Sequence, residues 1–320
     1  MDKKYFLSFI LIFSLVNISV HFLPKGPYGS MFDNSIKLSK KYNNEYEILL
    51  YGDSKATMFN KNYFERKTLS LACENNTIIF SKYLHDDIIK SQKKSLKVVL
   101  IFLGPNNYNK NGIFVIRDFA LRRLTSLQDI PKIILYDDGL ENALEVLCSR
   151  LIPIYGRRME IRDPGIIKNM VSLKYKNLLT QGMRPINKQI IYSNNLTINK
   201  NEDYNYLLTY KRSVYNNFEL SPLHAQYLHE IIIANSDSDI KTVLIQLPIK
   251  DKMFELQKSL VKQDFDRFIN QTVEEYDILY FDLRKQNYEF SDINHLSNRG
   301  AYDLAVNFIN PLIEELIVSR

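Results

Sequence analysis

The sequence predicts an α/β fold, a doubly wound parallel sheet, and three observations lead to that prediction. Two apolar runs, Leu96–Leu103 and Ile240–Leu247, have the composition of parallel strands that are buried on both faces. Stretches with a helical spacing of apolar residues alternate with such runs along much of the chain. With 320 residues, of which 45% are hydrophobic, the chain can fill a large core.

The N-terminus predicts one transmembrane helix. An uncharged run from Tyr5 to Leu23 follows Lys3 and Lys4, and its 19 residues would span about 28 Å as a helix, close to a bilayer core. We interpret residues 1–24 as an uncleaved signal anchor, with the lysines cytoplasmic and the rest of the chain across the membrane. A cleaved signal peptide and a buried core helix are the alternatives. The polar residues 25–45 predict a linker.

The sheet domain is predicted over residues 46–320. Its first strand, Tyr46–Tyr51, ends at Gly52. The later elements are predicted in this order: a short strand over Thr68–Ala72, a helix over Ile78–Lys90, the strand Leu96–Leu103, a helix over Ser221–Ala234, the strand Ile240–Leu247, a helix over Asp264–Glu275, a strand over Tyr276–Asp282, and a C-terminal helix from Leu296.

Residues 109–218 do not follow this alternation and predict one large, mostly helical insertion over the carboxyl edge of the sheet. Beyond the insertion, Ser221 and Ser297 are typical residues for the N-terminal cap of a helix. Pro311 should kink or interrupt the C-terminal helix, because proline cannot donate a backbone hydrogen bond.

The first motif that bears on chemistry is Gly52-Asp53-Ser54, directly after the first predicted strand. A serine at the carboxyl end of a strand projects its hydroxyl from the edge where α/β sheets bind ligands. We expect Ser54 to enter a helix, so that its own N–H lies at the helix N-terminus and can face a developing oxyanion. The alternative for Ser54 is an ordinary helix cap.

The second motif is Asp292-x-x-His295, shortly before the last predicted helix. A histidine that acts as general base needs a carboxylate to hold its other ring nitrogen, which sets the tautomer and stabilises the imidazolium. A separation of three residues provides that contact if the loop bends back. The alternative is a capping loop with a solvent-exposed histidine.

The third motif is Gly104-Pro105-Asn106-Asn107, directly after the apolar strand Leu96–Leu103. Gly104 permits a close approach of the backbone to a ligand. An asparagine amide beside a nucleophile can donate to an oxyanion, which is worth about 3 kcal/mol in comparable sites. The alternative is a β-turn, for which this composition is also typical.

Together, these three motifs resemble those of the SGNH (GDSL-like) hydrolase superfamily. Gly52–Ser54 is similar to its nucleophile block, Gly104–Asn107 to its Gly-x-Asn-Asp block, and Asp292–His295 to its last block. The resemblance covers about 45–108 and 219–318, and leaves the insertion outside it. It implies a flavodoxin-like three-layer fold and a serine enzyme that works through an acyl intermediate.

The same resemblance implies a role for each matching residue. Ser54 would be the nucleophile, His295 the base and Asp292 its orienting carboxylate. The oxyanion hole would consist of the Ser54 N–H, the Cys73 N–H and the Asn106 side-chain amide, with Gly52, Asp53, Gly104 and Asn107 in support.

Two positions depart from the family's pattern. The family usually has a glycine after its second strand, whose N–H completes the oxyanion hole, and here Cys73 or Ala72 would take that place. Asn107 stands where the family usually has Asp. A catalytically weak or inactive protein that binds or assembles glycans is therefore an alternative to an enzyme.

The predicted anchor and insertion look like the membrane-anchored branch of that superfamily, which acts on bacterial cell-surface polysaccharides. Members include alginate acetylation proteins and the D-alanyl transfer protein of teichoic acids. The resemblance implies acyl transfer, expected to be of acetyl groups, to or from a surface glycan. It also implies a membrane-bound acyltransferase as partner and a periplasmic or extracellular domain. A secreted or anchored esterase or deacetylase is the alternative within the same chemistry.

Charge and composition argue against other function classes. The chain has 42 basic and 36 acidic residues, a net charge of +6, and no basic stripe interleaved with aromatic residues, so we expect no nucleic-acid partner. No Gly-x-Gly-x-x-Gly or Walker sequence and no set of residues with zinc-ligand spacing occurs. We therefore expect neither a cofactor nor a metal.

Overall fold

The structure is a computed structural model that describes residues 3–20, 37, 46–73, 76–92, 95–110, 127–136, 140–152, 200–215, 217–261 and 263–318. The predicted linker, residues 25–45, lies outside the described residues apart from Lys37. The chain divides into two compact units, one within 1–34 and 118–194 and the other within 35–117 and 195–320.

The second unit contains a parallel sheet of five strands, with the order β2-β1-β3-β4-β5. This is the order of flavodoxin-like sheets, in which ligands bind beyond the carboxyl ends of the strands near β1 and β3. The strands are β1 (Ile48–Tyr51), β2 (Thr68–Ser70), β3 (Val98–Leu103), β4 (Lys241–Gln246) and β5 (Leu279–Asp282). The prediction of a parallel α/β sheet is confirmed.

The described helices are α1 (Lys3–Val20), α2 (Ile78–Gln92), α3 (Ile130–Tyr136), α4 (Leu140–Leu151), α5 (Lys200–Thr209), α6 (Pro222–Ser236), α7 (Asp251–Leu260), α8 (Asp264–Tyr276), α9 (Asn298–Leu304) and α10 (Asn310–Val318). Short 3₁₀ turns cover Ala56–Met58, Lys61–Tyr63, Pro105–Tyr108 and Leu127–Asp129, and π-helical turns cover Tyr210–Val214 and Ala305–Ile309.

Both faces of the sheet are buried, which explains why its central strands are continuously apolar. Leu50 and Leu100 point to one face, where they share a core with Leu304 and Ile309 of the C-terminal helices. Tyr51, on the opposite face, has its hydroxyl 3.2 Å from Nδ1 of His85 in α2. Every residue of β3 is buried, as a strand between two helical layers requires.

Some helix and strand boundaries differ from the predicted ones, and local backbone geometry explains the differences. α8 continues to Tyr276 and ends because Asp277 takes a left-handed conformation, with a φ of 49°, so β5 begins only at Leu279. A π-helical turn interrupts the C-terminal helix just before Pro311, which has no N–H to offer the preceding turn. Ser221 caps α6 as predicted, and accepts from the His224 N–H at 3.3 Å.

The first unit contains α1 and the pair α3 and α4 among its described helices. α1 coincides with most of the segment predicted to anchor the chain, and α3 and α4 lie within the insertion that was predicted to be mostly helical. None of the helices that the structure describes has both the length and the apolar character needed to cross a membrane.

Candidate active site

The structure brings Ser54 and His295 together although 241 residues separate them in sequence. Ser54 follows β1 and His295 follows β5, and Ser54 Oγ lies 2.9 Å from His295 Nε2. On the other side of the ring, His295 Nδ1 lies 2.7 Å from Oδ2 of Asp292. The three side chains therefore form a continuous serine–histidine–aspartate hydrogen-bond chain.

The loop before α9 bends back on itself and holds Asp292 against the imidazole. Asp292 Oδ1 accepts the N–H groups of Asn294 at 2.7 Å and of His295 at 2.8 Å. Burial favours the neutral carboxyl, but hydrogen bonding and charge interaction with His295, together with the two N–H donors, keep the Asp292 pKa below its ordinary value. An ionised Asp292 retains the proton on Nδ1, so Nε2 is free to accept from Ser54.

The chain turns sharply at Gly52 to present Ser54. A Cβ on Gly52 would overlap the Ala56 side chain, so this position requires glycine. The expectation that Ser54 enters a helix is wrong, because a three-residue 3₁₀ turn, Ala56–Met58, follows it. So short a turn has almost no macrodipole, and Ser54 N–H offers a single donor instead of a helix terminus.

Beneath Ser54 lies a buried polar cluster formed by Asp53, Lys55, Asn106 and Asn107. Asp53 Oδ2 accepts from the side-chain amides of Asn106 at 3.1 Å and Asn107 at 3.3 Å, and lies 4.0 Å from Lys55 Nζ. Burial opposes ionisation of Asp53, but the Lys55 charge, the Asn106 amide and the Lys55 N–H together lower its pKa. Asp53 is therefore a buried carboxylate that holds both asparagine side chains.

Asn106, predicted to donate to an oxyanion, has both amide hydrogens otherwise occupied. One donates to Asp53, and the other to Oδ1 of Asn107 at 2.8 Å. Its own Oδ1 is buried, has no hydrogen-bond partner among the described residues, and lies on the side of Gly104. The predicted donor role of Asn106 is not met in this arrangement, because the Asp53 carboxylate is the stronger acceptor.

Cys73 likewise does not offer the predicted oxyanion donor. Its N–H donates to the Gly52 carbonyl at 3.2 Å and so extends the pairing of β2 with β1 by one residue. Two other backbone donors, Ser54 N–H and Ala72 N–H, have no acceptor among the residues that the structure describes. The sequence left Ala72 as the alternative to Cys73, and the hydrogen bonds favour Ala72.

Three residues near the triad were not singled out from the sequence. Lys55 is buried, with its Nζ beside Gly104, and its position directly after the serine was the available signal. The ring of Tyr206 lies 6.3 Å from the His295 ring, centre to centre, in an edge-on arrangement. Tyr210 accepts from the Asn294 amide at 3.0 Å. Both tyrosines belong to the predicted insertion, whose sequence offers no regular pattern.

No group of three or more His, Cys, Asp or Glu side chains in the described part of the chain converges on a point that could hold a metal ion. His224 in α6 is buried and supports the site, since its Nδ1 lies 2.6 Å from the Asn107 carbonyl oxygen. This contact fixes the turn that carries Asn106 and Asn107.

Comparison with known proteins adds little to this geometry. No family model matches the sequence, and no curated protein matches it. A solved structure from Streptococcus pneumonia, provisionally described as a platelet activating factor, aligns with 93% of this chain and 98% of its own, at 11% identity and a TM-score of 0.40. Similarity at this level assigns neither a fold nor an activity to this chain.

Proposed function

We propose that the chain is a serine-dependent acyl-transfer enzyme that works through an acyl-Ser54 intermediate. Ser54 Oγ attacks the carbonyl carbon of an ester while His295 takes the hydroxyl proton. The bond to the leaving alcohol then breaks, and His295 gives the proton to that alcohol. An acceptor hydroxyl attacks the acyl-serine, its proton passes through His295 to Ser54 Oγ, and the free enzyme returns.

One observation carries this proposal, the hydrogen-bond chain from Ser54 through His295 to Asp292 at 2.9 Å and 2.7 Å. A serine hydroxyl alone is a weak nucleophile and needs an adjacent base, which in turn needs an orienting group. All three are present at the carboxyl edge of the sheet, where α/β proteins bind ligands. Ser54 N–H and Ala72 N–H are the donors we assign to the oxyanion.

The finer parts of the proposal rest on the sequence motifs. The resemblance of Gly52–Ser54 and Asp292–His295 to SGNH hydrolases supports that type of enzyme, and the predicted anchor supports a site outside the cytoplasm. We assign a cell-surface polysaccharide as acyl acceptor or donor, and O-acetyl as the group. A membrane-bound acyltransferase is the assigned partner. Water in place of a sugar hydroxyl would make the same site an esterase or deacetylase.

A second function is favoured by one specific observation, the engagement of the Asn106 amide and the Cys73 N–H. With two of the three expected donors occupied, oxyanion stabilisation is weaker, and each missing donor lowers kcat roughly 10²- to 10³-fold. A protein with so reduced a rate would serve as a glycan-binding or assembly protein.

The test uses the full-length chain in detergent, wild type beside Ser54→Ala and His295→Ala. Each is incubated with vinyl acetate or p-nitrophenyl acetate, and intact mass and free acetate are measured. We expect a +42 Da acetyl adduct (about the mass of an acetyl group less a proton) or acetate release in wild type only. Folded wild-type protein that shows neither would contradict the enzyme and favour the binding function. Adding oligosaccharides to acetylated protein then separates transfer from hydrolysis.

A further inference from the structure

Tyr206 lies beside His295 and belongs to none of the three sequence motifs. It lies on α5, and its ring stands nearly perpendicular to that of His295, at an interplanar angle of 84°. Tyr206 is only half-buried, and its hydroxyl oxygen faces the Tyr210 hydroxyl and the Asn294 amide as hydrogen-bond donors, an arrangement that leaves the Tyr206 O–H to donate. A tyrosine in this position presents both an apolar ring and a hydrogen-bond donor at the edge of the site.

Tyr206 is held by Tyr210, whose π-helical turn is in turn bound by residues from two separate loops. Its ring stacks on that of Tyr210 at 5.0 Å, and the Tyr210 hydroxyl is bound by Asn294, one residue before His295. At the other end of the π-helical turn, Asn109 Nδ2 donates to the Val214 carbonyl at 2.7 Å. π-helical turns occur frequently at functional sites, and this one joins the loop after β3 to the loop that carries His295.

Proton transfer through His295 determines where the alcohol part of the ester binds relative to Tyr206. His295 Nε2 must reach Ser54 Oγ and, in turn, the oxygen of the leaving or accepting alcohol. That alcohol therefore binds next to the imidazole, and a half-buried group in contact with the imidazole is well placed to contact it. Burial raises the pKa of the Tyr206 hydroxyl, so this hydroxyl remains a neutral donor at physiological pH.

On the basis of the proposed function, we infer that Tyr206 forms the subsite for the alcohol part of the ester and selects a sugar ring there. A pyranose has a patch of C–H groups that packs on an aromatic ring, and its neighbouring oxygen atoms, of a hydroxyl or of an acetyl ester, can accept from the Tyr206 hydroxyl. A small alcohol offers neither contact. Tyr206 is thus a specificity residue for the glycan, separate from the machinery that forms the acyl-serine.

The experiment compares two donors that carry the same acetyl group, glucose pentaacetate and vinyl acetate, on the full-length chain. Tyr206→Ala should lower kcat/KM for glucose pentaacetate roughly 10- to 100-fold, the effect of removing a well-packed contact residue. It should change kcat/KM for vinyl acetate less than about threefold, since that donor leaves the subsite unfilled. Tyr206→Phe should fall between wild type and alanine, because it keeps the ring and loses the hydroxyl.

Tyr204 provides the matched control, since it lies on the same helix two residues earlier and is 66% exposed. Tyr204→Ala should leave both donors unchanged. An equal loss on both donors in Tyr206→Ala would overturn the inference, because a residue that only supports His295 affects every substrate alike. No loss on either donor would overturn it as well.

A binding measurement keeps this test separate from that of the proposed chemistry. The Ser54→Ala protein is titrated with glucose pentaacetate by calorimetry, with and without the Tyr206→Ala change. We expect binding that Tyr206→Ala weakens and Tyr204→Ala does not. If wild type shows no turnover but this binding pattern holds, the subsite stands and the enzyme proposal fails. If Ser54→Ala does not bind the sugar ester at millimolar concentration, the subsite is wrong whatever the activity.

Discussion

Asp292 shapes a loop with one carboxylate oxygen, and in the proposed mechanism it orients a base with the other. Its Oδ1 closes the loop on two backbone N–H groups, while its Oδ2 faces His295 Nδ1 at 2.7 Å. The first set of contacts fixes the position of the carboxylate, and the second fixes the tautomer of the imidazole. The proposed catalytic role and the structural role can therefore be separated only by a substitution that keeps the shape of the side chain.

Asp292→Asn keeps that shape and should lower kcat/KM roughly 10³- to 10⁴-fold, because an amide cannot stabilise the imidazolium and favours the wrong tautomer. The measurement is steady-state turnover of p-nitrophenyl acetate over a range of pH, with thermal unfolding as the check on folding. A rate within tenfold of wild type in a folded protein would show that Asp292 does not orient His295 as a base.

The buried pair Asp53 and Lys55 flanks the serine in sequence and supports it from below. Asp53 is 4% exposed and Lys55 5% exposed, so each charge depends on the other and on the neighbouring asparagines. Because the pKa of Asp53 is lowered in the folded state, its contribution to stability is present above its unfolded pKa of about 3.9 and is lost as the pH falls through the folded value.

Lys55→Met removes the positive charge and should destabilise the fold most near neutral pH, where Asp53 would remain charged and unpaired. Without the lysine charge the pKa of Asp53 should rise. Asp53 should then become neutral at a higher pH, so the destabilisation should shrink toward pH 4. Urea unfolding at several pH values, with Asp53→Asn and the double variant, gives the coupling free energy, expected to be roughly 1–3 kcal/mol. Additive effects would mean that the 4.0 Å pair contributes nothing.

At the scale of elements, the segment between β5 and α9 determines whether the site forms. Ser297 caps α9 by accepting from the Gly300 N–H at 3.0 Å, and its own N–H donates to the Glu289 carbonyl at 2.9 Å. A Cβ on Gly300 would collide with the backbone of Glu289. Tight packing of the α9 N-terminus against the backbone at Glu289 therefore fixes the position of the Asp292–His295 loop.

Gly300→Ala should lower both stability and turnover, since backbone must move to make room and the loop moves with it. We expect a loss of roughly 2–3 kcal/mol in the free energy of unfolding, as for other overpacked sites. Arg299→Ala is the control, because the Arg299 side chain is 78% exposed on the same turn. Equal unfolding midpoints for the two variants in urea would contradict the packing argument.

At the scale of the molecule, the sheet is assembled from strands that are far apart in the chain. β3 pairs with β1 on one side and with β4 on the other, and β4 lies about 140 residues later in the sequence. All six residues of β3 are buried, whereas the residues of the edge strand β5 are exposed or half-buried. Cooperative unfolding should thus depend on β3 more than on the edge strands.

Hydrogen exchange followed by mass spectrometry should reveal this order. Peptides covering Val98–Leu103 should exchange only through global unfolding, and those covering Leu279–Asp282 at least about tenfold faster through local opening. Faster exchange in β3 than in β5 would show that the sheet is not organised around its central strand.

Much of the sheet was predictable because a strand buried on both faces needs a continuous apolar run. Leu96–Leu103 and Ile240–Leu247 carried that pattern, and parallel strands place their carboxyl ends at one edge, which brings Ser54 close to the Asp292–His295 loop. Three side chains could therefore be expected to meet from the sequence alone. Their chemical role stays a prediction until the acyl-enzyme test is made.

Contacts between distant parts of the chain determine which backbone donors have an acceptor and what surrounds the histidine. The Cys73 N–H pairs with Gly52, and the Asn106 amide binds Asp53, because strand register and a buried carboxylate capture them. Tyr206 reaches His295 through a segment with no regular pattern. Sequence periodicity indicates which face of an element is buried. The hydrogen-bond partner of a group, in contrast, depends on which residues from distant parts of the chain pack beside it.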